Sequence, residues 1–492
     1  MNDETKKNIL LILPNYLWFN DRPWYVPPYT LGLLAASLRD DFNVHILDAN
    51  HENLSFAEFQ ERVAAIKPWV VGISCQSIEY SKGIAKTTEL VKTVDSSIHT
   101  VLGGAFSTIS PEIAIEDKNL DFIILAEGER RFPQFLHELL KEEPDFSGMD
   151  GIVYRENQDY KIKPVTGYIE NLDLLPFPAY DMFDYSAYSG ASDRYSHVLS
   201  PRYFPYAMTS TSRGCPFKCV FCCTESIYGS SIRYQTAERV LKEIDWLVGE
   251  YGIKEIIFLD DNLVLDRKRF VQILEGLIKR DYDLHWKSVN LATFALDNEL
   301  LELMVESGTY QLLLPVESGN QHVLTNLLRK PLRLEKVPGI VKKAKELGLE
   351  TQAGFIIGTP GETWDQIRDT FRFAEQLDVD MVVFHVATPL PRTHLTQMAI
   401  DHGALPADFS FHPDHFFGFG KGVLTTDEFT PELLQMARAL EWDRINFPTL
   451  EKRKRFIKIA GISLEELEDW RKQTLRKAGI YFPGKAEENV GN

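Results

Sequence analysis

The chain has 492 residues, 44% of them hydrophobic and 25% charged, which suits two or three globular domains and excludes a disordered or fibrous protein. Its formal charge of −18 repels a phosphate backbone at long range, so a nucleic-acid substrate is disfavoured and a small-molecule substrate is expected. No run approaches the roughly 20 apolar residues of a transmembrane segment, and the five cysteines do not resemble a secreted disulfide framework, so a cytoplasmic protein is expected.

In chain order, apolar runs at 8–13, 43–47, 69–74, 99–102 and 121–125 read as strands, with helical periodicity between them at 28–38, 56–66 and 84–94. This α/β alternation predicts a doubly wound parallel-sheet domain over 1–145, whose ligands bind beyond the carboxyl ends of the strands. Residues 146–205 lose the periodicity, contain Leu175-Pro176-Phe177-Pro178, and read as a connector with a small hairpin at 151–164.

A second alternation follows, with strands predicted at 207–211, 255–259, 284–290, 311–316, 350–357 and 381–387 and helices at 237–251, 267–279, 298–307, 334–347 and 363–376. Six such units predict a partial (β/α)6 TIM-type barrel over 206–395. Residues 396–492 read as a helical C-terminal region that caps the barrel or shapes its cavity.

Four of the five cysteines fall within 215–223. Cys215, Cys219 and Cys222 stand in CxxxCxxC spacing directly after the first barrel strand, and three thiolates in one loop can each hold one iron of a cubane, leaving a fourth iron open. Gly214 and Pro216 help the loop converge. A structural zinc would need a fourth ligand, and Cys223 is adjacent to Cys222, where two thiolates seldom face one metal. Cys223 and Cys75 therefore read as small buried hydrophobes.

With Phe221 just before the third cysteine, this loop resembles the signature of the radical S-adenosylmethionine (SAM) superfamily. The resemblance implies a [4Fe–4S] cluster whose open iron is chelated by SAM, and reductive cleavage of SAM to a 5′-deoxyadenosyl radical that takes a substrate hydrogen. It also implies an external electron donor such as flavodoxin or ferredoxin. It extends over 206–393: Phe258-Leu259-Asp260-Asp261-Asn262 stands where the family contacts the methionine end of SAM, usually with Gly-Gly-Glu. Asp260 and Asp261 are therefore candidates for the ammonium, Glu317 and Ser318 for the ribose or carboxylate, and Gly354 and Gly358 for the adenine, with Phe221 beside them.

The first domain resembles the B12-binding domain of the cobalamin-dependent class. Ser74, Gly103, Gly104 and Glu127, at strand ends, are the candidate cobalamin contacts, although a nucleotide or no ligand would also fit small residues there. The Asp-x-His-x-x-Gly motif that supplies a histidine to cobalt is absent, so cobalt ligation by His45 or His51 is unsupported. The resemblance implies methyl transfer to an unactivated carbon, with radical cyclisation, rearrangement or carbon–carbon coupling as the alternative. An iron–sulfur electron carrier would need neither an open iron nor a barrel. No catalytic residue beyond these contacts is singled out, and Trp18, Trp24, Phe416 and Phe417 suit a lipid or tetrapyrrole substrate as well as they suit a core.

Overall fold

The computed structural model describes residues 6–19, 26–157, 159–188, 199–412 and 422–480, so Trp24, Phe416 and Phe417 lie outside the described residues. Strands β1 (Asn8–Leu13), β2 (Asn43–Asp48), β3 (Val70–Ser74), β4 (His99–Gly103) and β5 (Phe122–Ile124) form a parallel sheet in the order β2-β1-β3-β4-β5. The order reverses at β1, which creates a crevice at the carboxyl ends of β1 and β3. The apolar run of β1 has a physical reason: Leu10 and Ile12 enter one core while Ile9 and Leu11 enter another on the opposite face.

The sequence reading ended this unit at 145, but the sheet continues. Strands β6 (Ile152–Glu156) and β7 (Asp159–Lys163) form a hairpin whose first strand pairs antiparallel with β5. Ile152 and Val153 supply one side chain to each core, so the hairpin is an integral edge of the sheet and not part of a connector.

Strand β8 (Tyr206–Thr209) opens the second half, followed by the short pair β9 (Ser212–Arg213) and β10 (Arg233–Tyr234). Strands β11 (Glu255–Phe258) and β12 (His285–Ser288) pair in parallel with β8 in the order β12-β11-β8. Strands β13 (Gln311–Glu317), β14 (Glu350–Ile357) and β15 (Met381–Val386) form a second parallel set. A parallel bridge between Trp286 and Thr309 joins the two sets into the expected six-stranded open arc. Helices Ala237–Tyr251, Arg267–Arg280, Asn298–Glu306, Val337–Glu346 and Trp364–Leu377 cover its outer face. Side-chain caps from Thr236, Asp266, Asp297 and Thr363 hold the starts of all but Val337–Glu346, and Thr363 with Gln366 forms a reciprocal box.

Among the described residues, four helices follow from His394 onward. Helix Pro431–Asn446 lies against β15 where a seventh strand would pair. Val382 N–H donates to Asn446 Oδ1 at 2.7 Å and Asn446 Nδ2 donates to Val382 O at 3.0 Å. Asn446 thus satisfies backbone groups that an open sheet edge would leave orphaned. No helix among the described residues is long and apolar enough to cross a membrane.

Candidate active site

The cysteine loop is held from three sides. Strands β9 and β10 clamp its start, and Gly214 turns it at φ +86°, where an added Cβ would stand 2.5 Å from Ser231 O. Only glycine fits there. In the middle, Val220 N–H donates to Leu328 O at 3.1 Å and Leu395 N–H donates to Val220 O at 2.8 Å, so a buried residue pins the loop between two barrel segments. Cys215, Cys219 and Cys222 remain accessible, and Phe221 packs partly buried against the barrel core.

Burial pushes the Cys219 thiol up to about 12 and also raises Cys215. Iron reverses this, because coordination deprotonates a thiol outright. Among the described residues, no three Cys, His, Asp or Glu side chains converge on one point as a single ion requires. Cys223 occupies the N-cap position of helix Thr224–Tyr228, half-buried instead of enclosed in a core, with its thiol raised to about 11 by desolvation, while Cys75 is fully enclosed in the first domain's core, as expected.

The SAM candidates divide into two groups. Asp260 is fully buried, accepting from Thr211 N–H, Thr211 Oγ1 at 2.7 Å and Ser212 Oγ, so it braces the residues before the cluster loop and is not offered to a ligand. Ser318 is also enclosed, its Oγ 3.1 Å from Thr370 Oγ1 and accepting from Asn320 N–H. Gly358 owes its identity to packing: at φ +83° its Cβ would meet Leu434 Cδ1 at 2.4 Å. These three support the site from behind, contrary to the sequence reading.

Asp261, Glu317 and Gly354 form the second group. Asp261 is half-buried beside the loop, accepting from Gly214 N–H at 3.1 Å and Thr224 Oγ1 at 3.3 Å. Glu317 sits at φ +70° where the β13–β14 register shifts, a local kink that re-aims its side chain. An ideal Cβ on Gly354 meets nothing within 4 Å, so its missing side chain leaves open space on the arc's inner face. Sequence reasoning missed Lys330, whose Nζ donates to Glu317 Oε1 at 2.7 Å. Burial would lower its pKa, but Glu317 more than offsets this and Cys219 and Cys222 add to the rise, so a fixed positive charge stands between cluster loop and ribose candidate. No local pattern marks it.

A second cavity, of about 350 Å³, lies between the two halves. Ser74, Gly103, Gly104 and Glu127 line one wall at the sheet's carboxyl edge, and Arg213 and Tyr228 of the cluster-loop region line the other. Gly104 is required by its backbone, since at φ +102° a Cβ would stand 2.2 Å from Cys75 O. No histidine is among the lining residues described; His45 lies on β2 and His51 stacks on Tyr188.

Glu127 departs from its expected role. Its carboxylate is enclosed, accepting from Arg213 Nη1 at 3.0 Å, Arg233 Nη1 at 2.8 Å and Ile169 N–H at 2.8 Å. Glu129 pairs with Arg213 as well; burial alone would raise its pKa, but Arg213 more than reverses this. The wall of the cavity is thus ion-paired to both strands that clamp the cluster loop.

Residues 209–374 match the radical SAM superfamily and residues 22–136 match the B12 binding domain. An uncharacterized methyltransferase of Pyrococcus horikoshii is 31% identical over 381 residues, 77% of this chain and 80% of that protein. The cytidylyl-2-hydroxyethylphosphonate methyltransferase of Streptomyces wedmorensis is 28% identical over 464 residues, 83% of this chain and 85% of that one. Among solved structures, the radical SAM methyltransferase TsrM of Kitasatospora setae, with cobalamin and a [4Fe–4S] cluster bound, superposes with a TM-score of 0.70 at 16% identity, covering 96% of this chain and 99% of that one. The chain belongs to the radical SAM superfamily, among the enzymes that carry an N-terminal B12-binding domain.

Proposed function

We propose that this enzyme transfers a methyl group from SAM to an unactivated carbon of a small molecule, with Cys215, Cys219 and Cys222 holding a [4Fe–4S] cluster and the cavity between the two halves receiving part of a cobalamin. When bound, the cluster supplies the electron that cleaves SAM, and cobalamin supplies the methyl carrier. The residues present suit both groups. Three accessible thiols share one loop, and the sheet-edge cavity has glycines where a flat nucleotide tail would approach the backbone. The described lining residues offer cobalt no histidine ligand.

The chain's own work is orientation. Asp261 and Glu317 place acceptors for the ammonium and ribose of SAM, and Gly354 leaves room for its base. Lys330 holds Glu317 in place. The observation that carries the reading is the ion-paired wall: Glu127 and Glu129 bind Arg213 and Arg233, which ties the sheet-edge cavity to the strands that clamp the cluster loop. An electron donor of the flavodoxin or ferredoxin kind reaches the cluster, and unpaired cysteines with an oxygen-sensitive centre fit the reducing cytoplasm.

Anaerobic reconstitution tests this. The purified chain with iron, sulfide and hydroxocobalamin should show corrin bands above the broad cluster absorption. With SAM and a reductant it should form 5′-deoxyadenosine. Failure to retain corrin would sink the methyl-transfer reading, and absence of 5′-deoxyadenosine would sink the radical one.

A further inference from the structure

The last barrel strand and the helix beside it carry two polar side chains that the cofactor sites leave unused. On β15, Val382, Phe384 and Val386 are buried toward the helical layer, where Phe384 meets Phe371 edge-on, while His385 between them is exposed on the opposite, inner face. Although its ring is solvent-accessible, desolvation by the surrounding chain lowers the His385 pKa; the charge of Glu317 opposes the shift and that of Arg438 adds to it.

Arg438 projects from helix Pro431–Asn446 onto the open edge of β15. Its Nη1 donates to Phe384 O at 3.4 Å, and its Nε is buried with no partner. Arg202, Arg213 and Arg444 pair with Glu350, Glu129 and Glu375, and Arg269, which also has no carboxylate partner among the described residues, donates to two backbone carbonyls, Gln235 O at 2.6 Å and Thr211 O at 2.9 Å. Nearby acids are already engaged, Glu317 by Lys330 and Glu441 by Arg444. Among the described residues no carboxylate pairs with Arg438, and burial depresses its pKa with nothing to offset it. In a chain of net charge −18, a largely enclosed guanidinium left without an anion is costly unless a ligand supplies one.

We propose that Arg438, with His385 beside it, is an oxyanion-binding site that takes a phosphate, phosphonate or carboxylate group of the substrate. The proposal rests on the reading of the chain as a radical SAM enzyme acting on a small molecule. The guanidinium is a fixed fork that matches such groups through two parallel hydrogen bonds and stays charged at any working pH. The carboxylates Asp261 and Glu317 lie at the cluster end, where SAM's ammonium and ribose hydroxyls need acceptors. Arg438 reaches the edge of β15 from helix Pro431–Asn446, so an anionic substrate gripped there leaves the rest of its length free to extend toward the radical source.

Titration calorimetry with inorganic phosphate, on the full chain carrying its cluster, reads this site without turnover. Phosphate should bind, Arg438→Gln should weaken it by about tenfold or more, and Arg438→Lys should recover part of the loss. Saturating SAM should leave phosphate affinity unchanged. No phosphate binding, or equal affinity in Arg438→Gln, would overturn the site. Competition between SAM and phosphate would assign the anion to SAM's own carboxylate and overturn the substrate assignment. Should Arg438→Gln fail to fold, phosphate protection of Arg438 from phenylglyoxal in the unaltered chain, read by peptide mass spectrometry, decides instead, and lack of protection overturns the site. Phosphate binding through Arg438 in a chain that forms no 5′-deoxyadenosine would support the anion site and sink the enzymatic reading alone.

Discussion

Replacing Glu127 by Gln should loosen the cluster loop before it touches any cofactor. The Glu127 side chain is fully enclosed and accepts from Arg213, twice from Arg233 at 2.8 and 3.0 Å, and from Ile169 N–H. Glutamine keeps the shape but removes the charge and turns one acceptor into a donor facing an arginine. Removing one partner of a buried pair costs about 3–5 kcal/mol. Glu129 still pairs with Arg213, so the low end applies, about 3 kcal/mol, or roughly a 100-fold shift in a local opening equilibrium. Arg213 lies two residues before Cys215, so the loss should appear as faster amide hydrogen exchange across 210–235, with peptides from β14 as an internal reference. The double variant Glu127→Gln with Arg233→Gln should cost less than the sum of the singles, because the two groups interact directly. Unchanged exchange across 210–235 would refute the view that this carboxylate fastens the two halves together.

Cys219→Ser should leave circular dichroism unchanged while iron content after reconstitution falls and the broad cluster absorption is lost; full iron retention would point to other ligands. Gly354→Ala should weaken SAM binding without lowering Tm, since its Cβ meets only open space, whereas Gly358→Ala should lower Tm because its Cβ strikes Leu434. Calorimetry and thermal unfolding on the pair separate a ligand role from a packing role. Burial pushes Glu362 up to about 7 despite hydrogen bonds from Gly358 and Thr359 N–H, so the folded state holds its proton more tightly than the unfolded one. Its contribution to stability is full below the ordinary carboxylate pKa of about 4.3 and is lost as pH rises through about 7. The Tm of Glu362→Gln relative to the unaltered chain should therefore improve between pH 5.5 and pH 8, and a pH-independent difference would contradict the assignment.

Eleven strand readings were legible because each rests on a local run: β1 and β14 fall at their expected bounds, and the cysteine spacing is local too. The roles of individual site residues were less legible, and for a consistent reason. Asp260 and Asp261 are neighbours of one residue type, yet one faces Thr211 and Ser212 inside the protein and the other borders the cluster loop. Gly354 and Gly358 look equally suited to a flat ligand, but only the position of helix Pro431–Asn446 decides that Gly358 is filled from behind by Leu434. Such differences depend on what another part of the chain places opposite each residue. The hairpin β6–β7 was visible as a hairpin, but its membership of the first sheet depends on pairing with β5.

The contacts that tie the cavity to the cluster loop join residues far apart in the chain. Arg213 meets Glu127 across 86 positions and Arg233 meets it across 106, and neither pairing leaves a periodic or spaced signal. Their consequence is structural: the cavity between the halves has one wall from residues up to Phe132 and another from Ser210 onward, so neither segment alone can form it. Burying four charged side chains there is costly unless all of them stay paired. That requirement ties the position of the cluster loop to the position of the sheet edge, and it makes the separation between the two cofactor sites a property of the joined chain.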